Sequence, residues 1–192
     1  MEKLIGLKKV KTAVFISGAG SNLKNLIQFS KIKKTPISID LVISNTLKAK
    51  GLKYADQSNI NKKKFDFKNI RNTEKKILSL LKKEKIELIC LAGFMKILSK
   101  NFIKKFDGII INIHPSLLPK YKGLHTHQRA ISNKDKFAGC TVHYVTAKLD
   151  SGKIILQKKI KITANDSSIS LAKRVLKQEY KLYSAAIMKI FN

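Results

Sequence analysis

Residues 108–123, Gly-Ile-Ile-Ile-Asn-Ile-His-Pro-Ser-Leu-Leu-Pro-Lys-Tyr-Lys-Gly, constrain the fold more than any other stretch. The first half is a short apolar, β-branched run, which suits a buried strand. Asn112 and His114 interrupt it at a spacing of two, so both side chains share one face of an extended chain. Pro115 ends the strand, and Pro119 stiffens the loop that follows. A proton-moving imidazole and a neutral amide donor therefore emerge together at the carboxyl end of a strand. In open α/β sheets that is where ligands sit. Acyl-type transfer needs such a pair: the amide steadies a developing oxyanion and the ring moves a proton. The same residues also suit a turn closed by local hydrogen bonds, and spacing alone leaves both readings open.

Around this stretch the chain alternates strand and helix patterns. An apolar strand over 12–17 runs into Gly18-Ala19-Gly20-Ser21-Asn22, and Leu23, Leu26 and Ile27 follow at helical spacing. Strand, glycine-rich turn and helix together aim backbone N–H groups at a phosphate. The turn is neither a full dinucleotide fingerprint nor a Walker loop; an ordinary turn with Ser21 or Asn22 as helix cap fits as well. A second strand is expected over 37–44, a helix over 49–58, and a short connection around 65–67. Asn72 or Thr73 caps a helix reaching Lys85, with Glu74 in its first turn and Ile77, Leu80 and Leu81 turned inward. Arg71 precedes that cap, one of three arginines with Arg129 and Arg174; such a residue is usually solvated surface. Residues 88–92 form a buried strand, and the apolar Gly93-Phe94-Met95-Lys96-Ile97-Leu98 after it suits a ligand pocket or plain core equally.

Short helices are expected over 99–106 and 124–133, the second carrying His125 and His127. Strands over 140–145 and 153–162 flank Thr146-Ala147-Lys148-Leu149-Asp150-Ser151-Gly152, where Asp150 fits ordinary turn chemistry. Asp166 or Ser167 caps a last helix whose apolar stripe includes Val175, Leu182, Ile187 and, unexpectedly, Glu179. An acid on a buried stripe requires a partner. No repeat or linker divides the chain. One domain over 1–192 is expected, with a mostly parallel sheet wrapped by helices.

With 192 residues and 44% apolar content the chain is long enough for one real core. No apolar run approaches the roughly 20 residues of a membrane span. The start, Met-Glu-Lys-Leu-Ile-Gly-Leu-Lys-Lys-Val, has too short an apolar region for a signal peptide. Cys90 and Cys140 stand far apart in apolar runs and read as free thiols of a reducing cytoplasm; no Cys/His spacing suggests zinc. The net charge of +28 brings nucleic acid into consideration. Yet the excess is lysine in short scattered clusters, aromatics are 7% and tryptophan is absent, so no stacking platform is expected. The reading is a solvated basic surface without specific nucleic-acid binding, whose field also steers small anions.

Several motifs then coincide in one order: Ile16-Ser17-Gly18-Ala19-Gly20-Ser21-Asn22-Leu23, Ser44-Asn45, the 91–98 run, Asn112-Ile113-His114-Pro115-Ser116-Leu117-Leu118-Pro119, Gly123-Leu124-His125-Thr126-His127 and Leu149-Asp150-Ser151-Gly152. On them the chain, from about Thr12 to its final helix, resembles the phosphoribosylglycinamide formyltransferases of purine synthesis. The resemblance implies an α/β, Rossmann-like formyltransferase fold. It implies transfer of a formyl group from the co-substrate 10-formyltetrahydrofolate to the amino group of glycinamide ribonucleotide, without a metal. By motif position, Asn112, His114 and Asp150 are its catalytic constellation. Gly20, Ser21 and Asn22 would hold the substrate phosphate, and Glu179 would bond the same substrate. Met95, Lys96, Ile97, Leu98, Asn112, Thr146, Ala147, Lys148 and Asp150 would line the folate pocket, with Arg71 as a further folate contact. Ala19, Lys96 and the pair Ala147-Lys148 depart from the Asn, Arg and acidic residues common in the family.

A carboxylate near His114 favours its protonated form, so Asp150 is expected within direct or one-water reach of the ring. The expected partners are small molecules, with no membrane, and the chain a monomer or homodimer. Methionyl-tRNA formyltransferase and formyltetrahydrofolate deformylase share the core and stand as alternatives. The first carries an added carboxyl-terminal domain and the second an added amino-terminal one, for which 192 residues with a first strand by Thr12 leave no expected room. A basic nucleic-acid-binding protein on this fold is the alternative from another class.

Overall fold

The computed structural model describes residues 8–191; residues 1–7, part of the stretch read as no signal peptide, lie outside it. From β1 (Val10–Ile16) the chain builds outward through α1 (Ser21–Ser30), β2 (Ile37–Ser44), α2 (Leu52–Asp56) and β3 (Asn61–Lys64). It then returns through α3 (Ile70–Lys83) to β4 (Leu88–Leu91) on the other side of β1. The elements α4 (Lys100–Lys105), β5 (Ile109–His114), α5 (Thr126–Ser132), β6 (Phe137–Tyr144), β7 (Ile154–Lys161) and α6 (Ser168–Phe191) complete the chain. The sheet order is β3-β2-β1-β4-β5-β6-β7. Strands β1 to β5 are parallel, and β6 and β7 extend the sheet antiparallel. Because the order reverses between β1 and β4, their carboxyl ends frame the crevice where such sheets bind ligands.

Period-2 alternation assigns the two faces. Val14, Ile16, Cys90, Ile111, Ile113 and Val142 pack with Leu23 and Leu26 of α1 and Leu171, Val175 and Ile187 of α6. Ala13, Phe15, Ile89, Leu91 and Ile110 pack on the other side with Ile77 and Leu81 of α3 and Phe102 of α4. Asn112 and His114 share the parity of Ile110, so they point toward this second side. Tyr183 of α6 is fully buried, and its hydroxyl is shared between the carbonyls of Leu91 (3.0 Å) and Ile111 (3.3 Å). That bond ties α6 to the strands that carry the site. Cys90 and Cys140 are free and buried, and burial pushes both thiols up to about 12.

Several elements differ from their sequence pattern. β3 carries no apolar alternation because it is an edge strand with all four residues exposed, and its Lys62-Lys63-Lys64 discourages pairing with another chain. α2 starts at Leu52, not Ala49, and the Gly51 N–H before it bonds the Gly18 carbonyl at 2.9 Å. Asn69 caps α3 by accepting the Asn72 N–H at 3.1 Å, which puts Arg71 inside the first turn instead of before it. α5 begins at Thr126 because His125 sits in the left-handed region at φ 57°. Ser167 is the cap of α6, accepting the Ser170 N–H at 3.1 Å.

Candidate active site

The loops leaving β1 and β4 are laced together across the crevice. The Gly93 carbonyl accepts the Ser17 N–H at 3.0 Å, and Ser17 Oγ accepts the Met95 N–H at 2.7 Å. After β1 the chain turns at Gly20, whose φ is 72° and where an added Cβ would lie 2.5 Å from the Gly51 Cα. Only glycine satisfies both demands. The Lys24 N–H bonds the Gly20 carbonyl at 2.9 Å, so the amides of Ser21, Asn22 and Leu23 precede the helical ladder and face the helix's open end. Asn22 is buried; its Nδ2 donates to Glu179 Oε2 at 2.7 Å, while its Oδ1 has no partner. The acid on the apolar stripe thus meets a partner from α1. Burial pushes the Glu179 carboxyl up, opposed by the Asn22 bond. With the Asn22 side chain engaged in this way, the backbone at 20–22 is what the turn offers an anion.

At the end of β5, His114 is held from two sides. Its Nε2 lies 2.9 Å from the Tyr121 carbonyl and its Nδ1 3.4 Å from Asp150 Oδ2, with the two side chains 7% and 8% exposed. Both neighbours only accept, so a ring protonated on both nitrogens satisfies this arrangement. Asp150 Oδ2 also accepts the Gly123 N–H at 2.9 Å. The Tyr121–Lys122 segment is held by Arg129, which stacks 5.0 Å from the Tyr121 ring centroid and donates to the Lys122 carbonyl at 2.8 Å. The β6–β7 loop does not start at the edge where β5 ends. It leaves β6 where Tyr144 pairs with Ile111 and the Val145 N–H bonds the Ile110 carbonyl, then brings Asp150 back over the face of the sheet.

Directly opposite Asn112 on β6 stands His143, which the sequence reading did not single out. Its Nε2 lies 3.3 Å from Asn112 Nδ2 and 3.7 Å from Asp150 Oδ1, and its Nδ1 2.9 Å from the Tyr144 carbonyl. Burial holds its pKa below the usual imidazole value; the Tyr144 carbonyl and Asp150 pull upward and His114 pulls downward. His127 is lowered by burial and then by His114, and its buried Nδ1 has no partner. A signal for His143 existed in its own strand, where Thr141 and His143 repeat the spacing of Asn112 and His114.

The remaining predicted residues divide. Met95 and Ile97 are 63% and 68% exposed on the loop after β4, Lys96 is exposed beside them, and Leu98 is buried. Thr146, Ala147 and Lys148 are exposed on the loop that carries Asp150. Arg71 is not brought to this cluster. It lines, with Glu74 and Ser99, a groove of about 1350 Å³ along α3 and α4 that Asn112, His114 and Asp150 do not line. On the same helix Glu74 accepts the N–H (2.7 Å) and the hydroxyl of Ser99 where the β4 loop ends. Among the described residues no group of three or more His, Cys, Asp or Glu is arranged to hold a metal, and no helix is long and apolar enough to cross a membrane.

The formyl transferase family matches residues 10–187. The phosphoribosylglycinamide formyltransferase of Haemophilus influenzae is 44% identical over 180 residues, covering 92% of this chain and 85% of that protein. The Escherichia coli protein of the same name is 40% identical over 179 residues, covering 91% and 84%. The crystal structure of phosphoribosylglycinamide formyltransferase from Brucella melitensis matches with a TM-score of 0.91 and 42% identity, covering 95% of this chain and 96% of that one. The human trifunctional purine biosynthetic protein adenosine-3 is 39% identical over 186 residues, and the chain spans only 18% of its length. The chicken and Drosophila trifunctional proteins are spanned to 19% and 14%. Likeness at this level, carried along nearly the whole chain in both sequence and backbone, places the chain in the formyl transferase family, among the phosphoribosylglycinamide formyltransferases.

Proposed function

We propose that the chain transfers the formyl group of 10-formyltetrahydrofolate to the amino group of glycinamide ribonucleotide, a step of purine biosynthesis, by direct attack within an Asn112–His114–Asp150 constellation. The observation that carries this reading is the His114 ring, gripped between the Tyr121 carbonyl and Asp150 on the same strand face as Asn112. The neutral amine attacks the formyl carbon and yields a tetrahedral intermediate bearing an oxyanion. Asn112 Nδ2–H donates to that oxygen, and the protonated His114 joins it when one of its N–H groups turns from its acceptor, the Tyr121 carbonyl or Asp150, to the substrate; one such preorganised donor lowers a barrier by roughly 2.7–4 kcal/mol. Collapse expels the folate nitrogen, which must gain a proton as the former amine loses one. His114, or a water held by Asp150, carries that proton.

The substrate phosphate sits at the backbone amides of residues 20–22, where the open helix end favours an anion. The unpartnered Asn22 Oδ1 and the Glu179 carboxylate beside it supply acceptors for substrate hydroxyl or amine hydrogens. The exposed apolar side chains of Met95 and Ile97 suit the broad ring faces of the donor's pterin, whose edge is polar. The test is a formyl-transfer assay with glycinamide ribonucleotide, run beside formylation of aminoacylated tRNA and hydrolysis of the donor alone. Transfer to the ribonucleotide is expected. Formylated tRNA, or donor hydrolysis without transfer, would refute the reading.

A further inference from the structure

We infer that His143 is a positioning residue for this transfer: it accepts a hydrogen bond from Asn112 and so decides which way round the Asn112 amide faces the reacting carbon. The inference rests on the reading of Asn112 as the oxyanion donor. A side-chain amide has two ends of nearly equal shape, one donating and one accepting, and its terminal torsion is soft and roughly two-fold. A site that needs the donating end must break that symmetry with a neighbour of defined polarity.

The cross-strand register supplies the neighbour, because Asn112 and His143 are opposed on β5 and β6 and share a face. The Tyr144 carbonyl, 2.9 Å from His143 Nδ1, can only accept, so Nδ1 carries the hydrogen. A neutral imidazole has one N–H, so Nε2 presents a lone pair 3.3 Å from Asn112 Nδ2, which can only donate. The reversed amide would set Oδ1 against that lone pair. With one Nδ2 hydrogen committed to His143, the other is left for the oxygen that gains charge during transfer. The ring is 2% exposed, and burial favours the neutral form this requires. The charged and titratable groups acting on it are Asp150, which pulls toward protonation, and His114, which opposes it.

The two histidines on this face thereby take complementary roles. His114 has an acceptor at each nitrogen and is satisfied as the cation, while His143 has an acceptor at Nδ1 and, at Nε2, the Asn112 donor at 3.3 Å, nearer than the Asp150 oxygen at 3.7 Å, and is satisfied neutral. Asp150 reaches both rings, and its nearer contact, 3.4 against 3.7 Å, is to His114.

The test combines His143→Leu, which removes the acceptor, with His143→Gln, whose carbonyl oxygen keeps one at similar reach, each also made in an Asn112→Ala background. We expect His143→Leu to lower kcat roughly ten- to hundredfold, part of the cost of losing an oxyanion donor outright, with KM for both substrates little changed. His143→Gln should recover most of the loss. Once Asn112 is Ala, His143→Leu should cost nothing further, since groups that act as one unit are not additive. Equal losses in both backgrounds, or an unchanged kcat in His143→Leu, would overturn the inference while leaving formyl transfer itself intact. A wild-type protein that does not formylate the ribonucleotide would instead sink the functional reading. Nitrogen-15 NMR of the unsubstituted protein at neutral pH tests the arrangement independently of activity and of variant folding. A neutral His143 protonated on Nδ1 supports the inference, and protonation on Nε2 overturns it.

Discussion

Replacing Asp150 by Asn removes one charge and almost no volume. The residue sits at φ 44°, a left-handed conformation that Asn adopts as readily as Asp. Its side-chain oxygen also still accepts the Gly123 N–H that Asp150 takes at 2.9 Å. The loop should therefore hold its shape, and what disappears is the attraction between the carboxylate and the positive charge that the His114 ring carries during proton transfer. At the observed 3.4 Å, with an effective dielectric near 20, that attraction is about 5 kcal/mol. Each ~1.4 kcal/mol of barrier is a factor of ten in rate, so complete loss corresponds to three or four decades. The amide dipole retains part of it, which brings the expected fall in kcat to roughly 10²- to 10⁴-fold, the range of positioned acid–base catalysis. Steady-state kinetics with each substrate varied in turn should show this fall with little change in either KM, because neither the phosphate nor the pterin depends on that charge. Thermal unfolding should stay near wild type. A variant with near-wild-type kcat would remove Asp150 from the chemistry, and one that melts far earlier would make it a residue that holds the loop.

Glu179→Gln exchanges a buried acid for a neutral group that still accepts from Asn22. Burial raises the Glu179 pKa above its ordinary 4.5, so this residue's favourable contribution is fully present below about 4.5 and lost as pH rises through the raised value. Urea unfolding at pH 4 and pH 7 should show the variant gaining on wild type with rising pH, while KM for the ribonucleotide rises; a stability difference independent of pH would refute the linkage. Gly20→Ala must hold an alanine at φ 72°, about 1–2 kcal/mol by itself. It also drives a Cβ to 2.5 Å from the Gly51 Cα, so a larger loss in urea unfolding and a higher KM for the ribonucleotide are expected. Gly18→Ala, with open space at its Cβ, is the control, and equal effects at both positions would defeat the argument.

Asn112 and His114 were legible because a strand's two-residue period is a local property, and sharing a face needs no knowledge of any other strand. The turn at Gly20 was legible for the same reason: strand, glycines and helix follow one another directly along the chain. Glu179 announced from its stripe that it needed a partner, but not that the partner was Asn22, 157 residues away. The edge strand β3 was invisible because a strand exposed on both faces has no apolar alternation to display. Arg71 could be aligned to a motif, yet which groove it lines depends on how α3 packs against α4. His143 had its local spacing, but its place opposite Asn112 follows from β6 entering antiparallel beside β5, and the reach of Asp150 to both rings follows from a loop that folds back over that pair. Backbone periodicity is written residue by residue, so sequence alone determined the strands other than β3, the glycine turn and the face that carries Asn112 and His114. Which side chains meet across strands depends on sheet order and register, set by packing distant parts of the chain at once, and only the tertiary structure decided them.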